Sequence, residues 1–340
     1  MSDTDKLLKS FTKKFGEESI ILGDKIAYNG DIIPTGSLIL DMALGIGGIP
    51  EGRIIEIFGG ESSGKSTMAT TIMAQAQKIG KLCAFVDAEN TYDRVWSEVL
   101  GVDNAKLLFI QPNSLEDGLE KSIFLIENGV KLVVFDSVAA APTVSEREGD
   151  VGDAIIGVKA RIMSQTLSKL IPILRDNKAT IIFINQIREK VGVMYGSPET
   201  TPGGKSLPFY ATIRMRLNKK TIKQKEEVIG DTITVKIIKN KVAPPFRQAE
   251  LTLIYGKGFD KKHEMYEVGL KLGFVERGGA WITPKFLGET DIKIQGADKF
   301  IEWLDENPDK LEHLEKLIRD QFANGKEKLE VLGITERPDE

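Results

Sequence analysis

Gly59-Gly60-Glu61-Ser62-Ser63-Gly64-Lys65-Ser66 fits the pattern of a glycine, four residues, then Gly-Lys-Ser/Thr. Its flanks are right for that pattern. Arg53-Ile54-Ile55-Glu56-Ile57-Phe58 before it is β-branched and mostly apolar, as a buried parallel strand should be. Residues 67–79 after it lack Gly and Pro and predict a helix that stops at Gly80. Strand, glycine loop and helix together make a phosphate cradle. Backbone N–H groups of the loop and helix start face an anion, Lys65 reaches the β- and γ-phosphates, and the Ser66 hydroxyl ligates Mg²⁺. A glycine turn that only joins strand to helix would need neither the lysine nor the hydroxyl in register. The stretch predicts binding of a nucleoside triphosphate.

Outward from the cradle, strands and helices alternate. Strands are expected at 82–86, ending in Asp87-Ala88-Glu89, at 107–110, at 131–136, ending in Asp136, and at 180–184, ending in Asn185-Gln186. Helices are expected at 115–127 and 157–175, the second with Pro172 as a potential kink. Such alternation predicts an α/β fold with a mostly parallel central sheet flanked by helices. Residues 37–44 read as helical, 7–15 as a short amphipathic helix, and 232–239 and 250–255 as further strands. Residues 145–156 and 188–208 carry no secondary-structure signal, and loops that long inside a domain are usually functional or disordered. From about 267 the glycine spacing changes, then helices follow at 297–306 and 310–322, which reads as a separate small α+β C-terminal domain.

Composition sets the outer bounds. The 340 residues are 41% hydrophobic and 28% charged, ordinary for a soluble protein, with no signal peptide and no apolar run of membrane-spanning length. Cys83 is the single cysteine, so no internal disulfide forms, and a cytoplasmic location is expected. Two histidines and one cysteine leave no zinc constellation. The net charge of −4 is unevenly spread: residues 214–247 hold ten basic and three acidic side chains, residues 298–340 seven and thirteen. The basic stretch suits nucleic acid or a merely solvated face, and charge alone does not choose between them.

Ligands of open α/β sheets bind at the carboxyl ends of the strands. There, Asp136 fits the acidic residue that holds Mg²⁺, directly or through water. Glu89 fits a general base that orients the attacking water, and Gln186 an amide that senses the γ-phosphate and orders the loop after it. That loop mixes Arg188, Lys190, Met194 and Tyr195 with glycines; DNA contact and a substrate lid both suit it.

At this point the chain resembles one family, the bacterial RecA recombinases. The resemblance rests on Thr35-Gly36-Ser37-Leu38, the run from Leu44 to Pro50, Glu61-Ser62-Ser63-Gly64-Lys65, Asp87-Ala88-Glu89, Phe183-Ile184-Asn185-Gln186-Ile187-Arg188, Pro198-Glu199-Thr200-Thr201 and the run from Lys239 to Phe246. It spans about 7–279 and weakens beyond. It implies a RecA-like core, ATP and Mg²⁺ as cofactors, and a helical homo-oligomeric filament on single-stranded DNA. The filament would exchange strands with homologous double-stranded DNA, with DNA-stimulated ATP hydrolysis. A single-strand-binding protein and a LexA-type repressor are implied partners, and no membrane. Residues 1–32 become an N-terminal polymerisation helix and linker, 33–266 the ATPase core with DNA loops at about 145–157 and 187–208, and 267–340 the C-terminal domain. In that scheme Glu89, Lys65 and Gln186 are catalytic. Gly59 to Thr67, Asp93, Trp96 and Asp136 bind the nucleotide, and Ser66 and Asp136 serve the metal. Lys239 and Lys241 reach the neighbouring subunit's ATP site. Ile156, Gly157, Arg161, Arg188, Lys190, Met194, Tyr195, Gly203 and Gly204 touch DNA, and Phe209 joins the polymerisation contact.

The chain also departs from the family pattern. Gly60 replaces Pro, Ser66 Thr, Trp96 Tyr, Ser168 a basic residue and Pro208 a Lys; Ile282-Thr283-Pro284 replaces Tyr-Ser-Tyr, and the acidic tail is short. Such drift suits a divergent or phage-encoded relative. A ring-forming helicase, a DNA-coating protein without turnover, and a small-molecule kinase are the other classes compatible with the cradle.

Overall fold

The computed structural model describes residues 3–15, 30–149, 157–189, 199–200, 202–224, 226–288, 291–323 and 333–336. The chain forms two compact units, 1–31 and 32–340. In the first, the helix Asp3–Phe15 ends on Lys13 and Lys14, basic side chains that suit the negative end of the helix dipole.

The second unit is built on one large sheet. Its parallel strands are β1 (Ile54–Gly59), β2 (Cys83–Asp87), β3 (Leu107–Ile110), β4 (Leu132–Asp136) and β5 (Thr180–Gln186). Three antiparallel strands extend it: β6 (Ile213–Gln224), β7 (Glu227–Asn240) and β8 (Arg247–Ile254). The lateral order is β8-β7-β6-β1-β5-β4-β2-β3, with β6 lying parallel to β1. Crossovers are carried by helices α1 (Lys65–Lys78), α2 (Leu115–Glu127) and α3 (Val158–Asn177), the last continuing through Pro172.

Alternation along the strands explains two cores. Ile55, Ile57, Ile182 and Ile184 face one cluster with Met68, Ile72 and Met73 of α1. Ile54, Ile181 and Phe183 face the other, with Leu119 of α2 and Leu167 and Leu170 of α3. Each such aliphatic side chain contributes about 1.5–3 kcal/mol by leaving water. Strands buried on both faces have to be continuously apolar, which is why they were legible as runs.

Several elements were not expected. The sequence reading left 213–224 unassigned, yet it is β6; its buried Ile213, Met215 and Leu217 alternate with Arg214, Arg216 and Asn218. The segment at 145–156 begins as a helix, Val144–Glu148, because Thr143 and Glu146 form a reciprocal capping box. Within 188–208, Arg188–Glu189 pairs with Glu199–Thr200, and Ser206–Tyr210 is helical despite Pro208. Residue 267, placed at the start of a separate domain, falls inside the helix Lys261–Lys271. That helix joins the rest of the unit through Glu264, which accepts from Ser37 Oγ at 2.8 Å and from the Ile39 N–H at 2.9 Å. Arg319 of the helix Pro308–Ala323 likewise pairs with buried Asp41 at 2.8 Å. A division at 267 would cut one helix and one continuous core.

Candidate nucleotide site and DNA-facing loops

β1 delivers Gly59 to the turn with its neighbours already in place. A Cβ there would strike the Leu217 carbonyl of β6 and lie 2.7 Å from Ser63 Oγ, so only glycine fits. Gly64 then adopts φ +88°, and Ser62 takes the left-handed region at φ 54°. α1 starts at Lys65 with no side chain capping it, leaving its first N–H groups to the loop. Lys65 is buried and its Nζ donates to the Gly60 carbonyl at 2.6 Å. Burial pulls its pKa down, against the opposing charges of Asp136, Glu89 and Glu61.

Sheet register gathers the strand-end groups. Gly59 pairs with Gln186 and Asp87 with Asp136. The N–H groups of Ala88 and Glu89 both donate to the Asp136 carbonyl, at 2.6 and 3.3 Å, tying the ends of β2 and β4. Ser66 Oγ donates to Asp136 Oδ2 at 2.6 Å, while the buried Oδ1 has no hydrogen-bond partner among the described residues. Burial pushes the Asp136 carboxyl up to about 6; the Ser66 hydrogen bond opposes this, and Glu89 and Asp87 reinforce it. Gln186 Nε2 donates to Glu89 Oε1 at 2.6 Å, and Ser137 Oγ reaches the same oxygen at 3.3 Å. The expected base and the expected sensor are in contact.

A cleft of about 690 Å³ opens over this arrangement, lined by the loop, Glu89, Trp96, Gln186 and Tyr255. Trp96 Nε1 lies 3.5 Å from Thr67 Oγ1. Asp93 caps the short helix Arg94–Val99 by accepting the Trp96 N–H at 2.9 Å, and so sets where the indole stands.

The DNA-loop residues are only partly described. Ile156, Lys190, Met194 and Tyr195 lie outside the described residues, and for Arg188 only the backbone is described. Gly157 begins α3 at φ 81° and Arg161 is exposed one turn on. Gly203 and Gly204 pack against the same helix. A Cβ on Gly204 would come within 2.8 Å of the Ala160 Cβ, and one on Gly203 within 3.5 Å of Met163. The roots of the two expected loops therefore meet. Lys239 Nζ donates to the carbonyls of Pro208 and Phe209, each at 2.7 Å, and Lys241 Nζ stands 6.0 Å from the Phe209 ring centroid. Burial, with Lys241 and Arg214 nearby, brings the Lys239 pKa down to about 8.

The family model described as the RecA N-terminal domain matches residues 3–260. The chain belongs to the RecA family. It is 47% identical to Protein RecA of Caldanaerobacter subterraneus subsp. tengcongensis, over 93% of this chain and 92% of that one. It is 46% identical to Protein RecA of Thermotoga maritima over 94% and 91% of the two chains, and 47% identical to that of Thermus aquaticus over 91% of each. It is accordingly a recombination and repair protein and a DNA-dependent ATPase, which binds DNA and self-associates into filaments. No helix of the described residues is long and apolar enough to cross a membrane.

The sequence reading missed some residues that line the cleft. Ser137 follows Asp136 directly and braces Glu89. Lys219, Asp231 and Tyr255 reach the cleft from β6, from β7 and from just beyond β8. The Tyr255-Gly256 step at a strand end was a usable signal for one of them. Nothing local marked the others.

Deeper in the sheet, Glu56 is fully buried and accepts from Arg214 Nε at 2.5 Å and Asn185 Nδ2 at 3.2 Å. Asn185 Nδ2 also donates to the Pro202 carbonyl at 3.0 Å, linking the strand before Gln186 to the exit of the second loop.

Proposed function

We propose that this recombinase hydrolyses ATP with Mg²⁺ at the cleft and signals the state of the γ-phosphate to its second DNA loop through Gln186. The contact between Gln186 and Glu89 carries this reading, because one amide at the start of the loop touches the candidate base. Glu89 orients the attacking water by accepting its hydrogen bond. In reaching a γ-phosphate, the Gln186 amide exchanges one partner for another, and the backbone it heads moves with it. Lys65 leaves the Gly60 carbonyl for phosphate oxygens, and the loop and helix N–H groups hold the remainder.

Ser66 and Asp136 fit Mg²⁺. A hydroxyl and a carboxylate with one unpartnered oxygen, beside a phosphate cradle, are oxygen donors of the kind this ion shares with nucleotide phosphates. When bound, the ion would supply charge neutralisation to the nucleotide phosphates, and Ser66 and Asp136 would hold it.

Lys239 and Lys241 act in a neighbouring subunit's site. Lys239 donates to the Pro208 and Phe209 carbonyls and Lys241 to that of Phe209, which puts both on the same patch as the exposed Phe209 ring, so subunit docking and lysine delivery are one event. Gly157, Arg161, Gly203 and Gly204, together with Ile156, Arg188, Lys190, Met194 and Tyr195, form the DNA-facing surface. A single-strand-binding protein and a LexA-type repressor are further partners on this reading.

The test is ATP turnover by the purified chain with and without single-stranded DNA at two salt concentrations. Strong stimulation that weakens with salt is expected, since phosphate contacts release counterions. Turnover indifferent to DNA would overturn the coupling.

A further inference from the structure

One wall of the cleft carries a carboxylate that the hydrolytic groups do not use. Asp231 stands on β7, paired with Leu253 of β8 and Thr221 of β6, and is only 3% exposed. Its Oδ2 accepts from the Tyr255 hydroxyl at 2.8 Å and faces Lys219 Nζ at 3.7 Å. Its Oδ1 is buried and has no hydrogen-bond partner among the described residues. A buried carboxylate oxygen left without a donor is costly, so it is retained where a ligand supplies the donor.

The position says which part of the ligand that is. Ile233 lies two residues along the strand on the same face. Its Cδ1 is 3.3 Å from where a Cβ on Gly64 of the phosphate loop would stand. Asp231 is therefore about 7 Å further along β7 from the loop. With phosphates in the loop, the nucleoside extends over that distance, into the part of the cleft that Trp96 and Tyr255 also line.

We infer that Asp231 reads the nucleoside: its free Oδ1 accepts a hydrogen bond from a nucleoside donor, a ribose hydroxyl or an exocyclic base amine. Tyr255 and Lys219 hold the carboxylate in place for this. The inference rests on the nucleotide reading of the cleft. An ionised carboxylate offers only acceptors, so it favours a hydroxyl or amine and rejects an analogue that lacks one or presents a carbonyl instead.

The experiment is equilibrium competition against a fluorescent ATP analogue, using the full chain without DNA. The competitors are ATP, 2′-deoxy-ATP, 3′-deoxy-ATP, inosine triphosphate and inorganic triphosphate. One nucleotide analogue is expected to bind about ten- to a hundredfold more weakly than ATP, and which one it is separates sugar from base. Asp231→Ala and the near-isosteric Asp231→Leu, which both remove the acceptor, should lower ATP to that analogue's level and leave inorganic triphosphate unchanged. If ATP binds and all analogues match it, or if a folded variant keeps the wild-type discrimination, the inference is overturned and the nucleotide reading stands. If ATP itself does not compete, the nucleotide reading falls and the inference with it. Even where a variant fails to fold, equal wild-type binding of all the nucleotide analogues overturns the inference.

Discussion

Adjacent glycines in the phosphate loop have opposite tolerances. Gly59 is closed in by the Leu217 carbonyl and Ser63 Oγ, whereas a Cβ on Gly60 would meet nothing within 4 Å. Gly59→Ala should cost about 1–3 kcal/mol, because the clash is with backbone of a paired strand that cannot rotate away. Gly60→Ala should stay within about 0.5 kcal/mol, as an open position does. Urea unfolding of the two variants checks this; equal costs would mean that the loop, rather than the β1–β6 pairing, sets the constraint. The same contrast explains how a glycine can stand at 60 where the family usually has proline. The positions of these side chains were legible at this scale: Lys65 and Ser66 were marked by the glycine-loop motif, and Glu89, Asp136 and Gln186 by a place at or just past a strand end. Asp231 was not, because an acid in an alternating strand reads as a solvated residue until its neighbours are known.

Among the elements, the join between the helices Leu38–Leu44 and Lys261–Lys271 depends on one acid. Burial pushes the Glu264 carboxyl up to about 7, against the hydrogen bonds from Ile39, Ser37 and Leu38 that lower it, and with nearby Asp41 raising it. The folded state therefore holds this proton up to a higher pH than the unfolded chain does. Stability from this group is complete below the unfolded pKa near 4.5 and is lost as pH rises through about 7. Glu264→Gln keeps an acceptor for Ile39 and offers a donor to Ser37, and it has no proton to lose. Its stability relative to wild type should rise by on the order of 2 kcal/mol between pH 4.5 and 8. Thermal melts across that range measure the difference, and a pH-independent gap would show that Glu264 stays charged throughout. Element type was readable where strands are covered on both faces, as in β4 and β5. It was hidden in β6, whose apolar face alternates with Arg214, Arg216 and Asn218 and whose outer half carries Lys219, Lys220 and Lys223.

For the whole molecule, assembly depends on what a single chain leaves exposed. Phe209 is 71% exposed, and the carbonyl it carries is gripped by Lys239. Phe209→Ala should shorten or abolish filaments, since an exposed aromatic anchor lost at every interface multiplies a cost of about 2 kcal/mol per contact. DNA-stimulated turnover should fall with filament length, while nucleotide binding by the separate chain persists. Light scattering on single-stranded DNA, with competition binding alongside, separates the two; full-length filaments from the variant would remove Phe209 from the interface.

The glycine loop was readable from sequence alone, because its residues lie within eight consecutive positions and local backbone geometry is enough to form it. The parallel core was settled in the same way, by apolar runs that only a sheet covered on both faces requires. Tertiary structure decided what had to be brought from afar. Gln186 meets Glu89 across 97 residues of chain because strand order and register bring their strand ends to the same edge of the sheet, on either side of β4. The helix Lys261–Lys271 joins the core because Glu264 finds Ser37, and Asp231 faces the cleft because β7 runs past Gly64. Such contacts depend on the packing of whole elements, and no local pattern of residues encodes them.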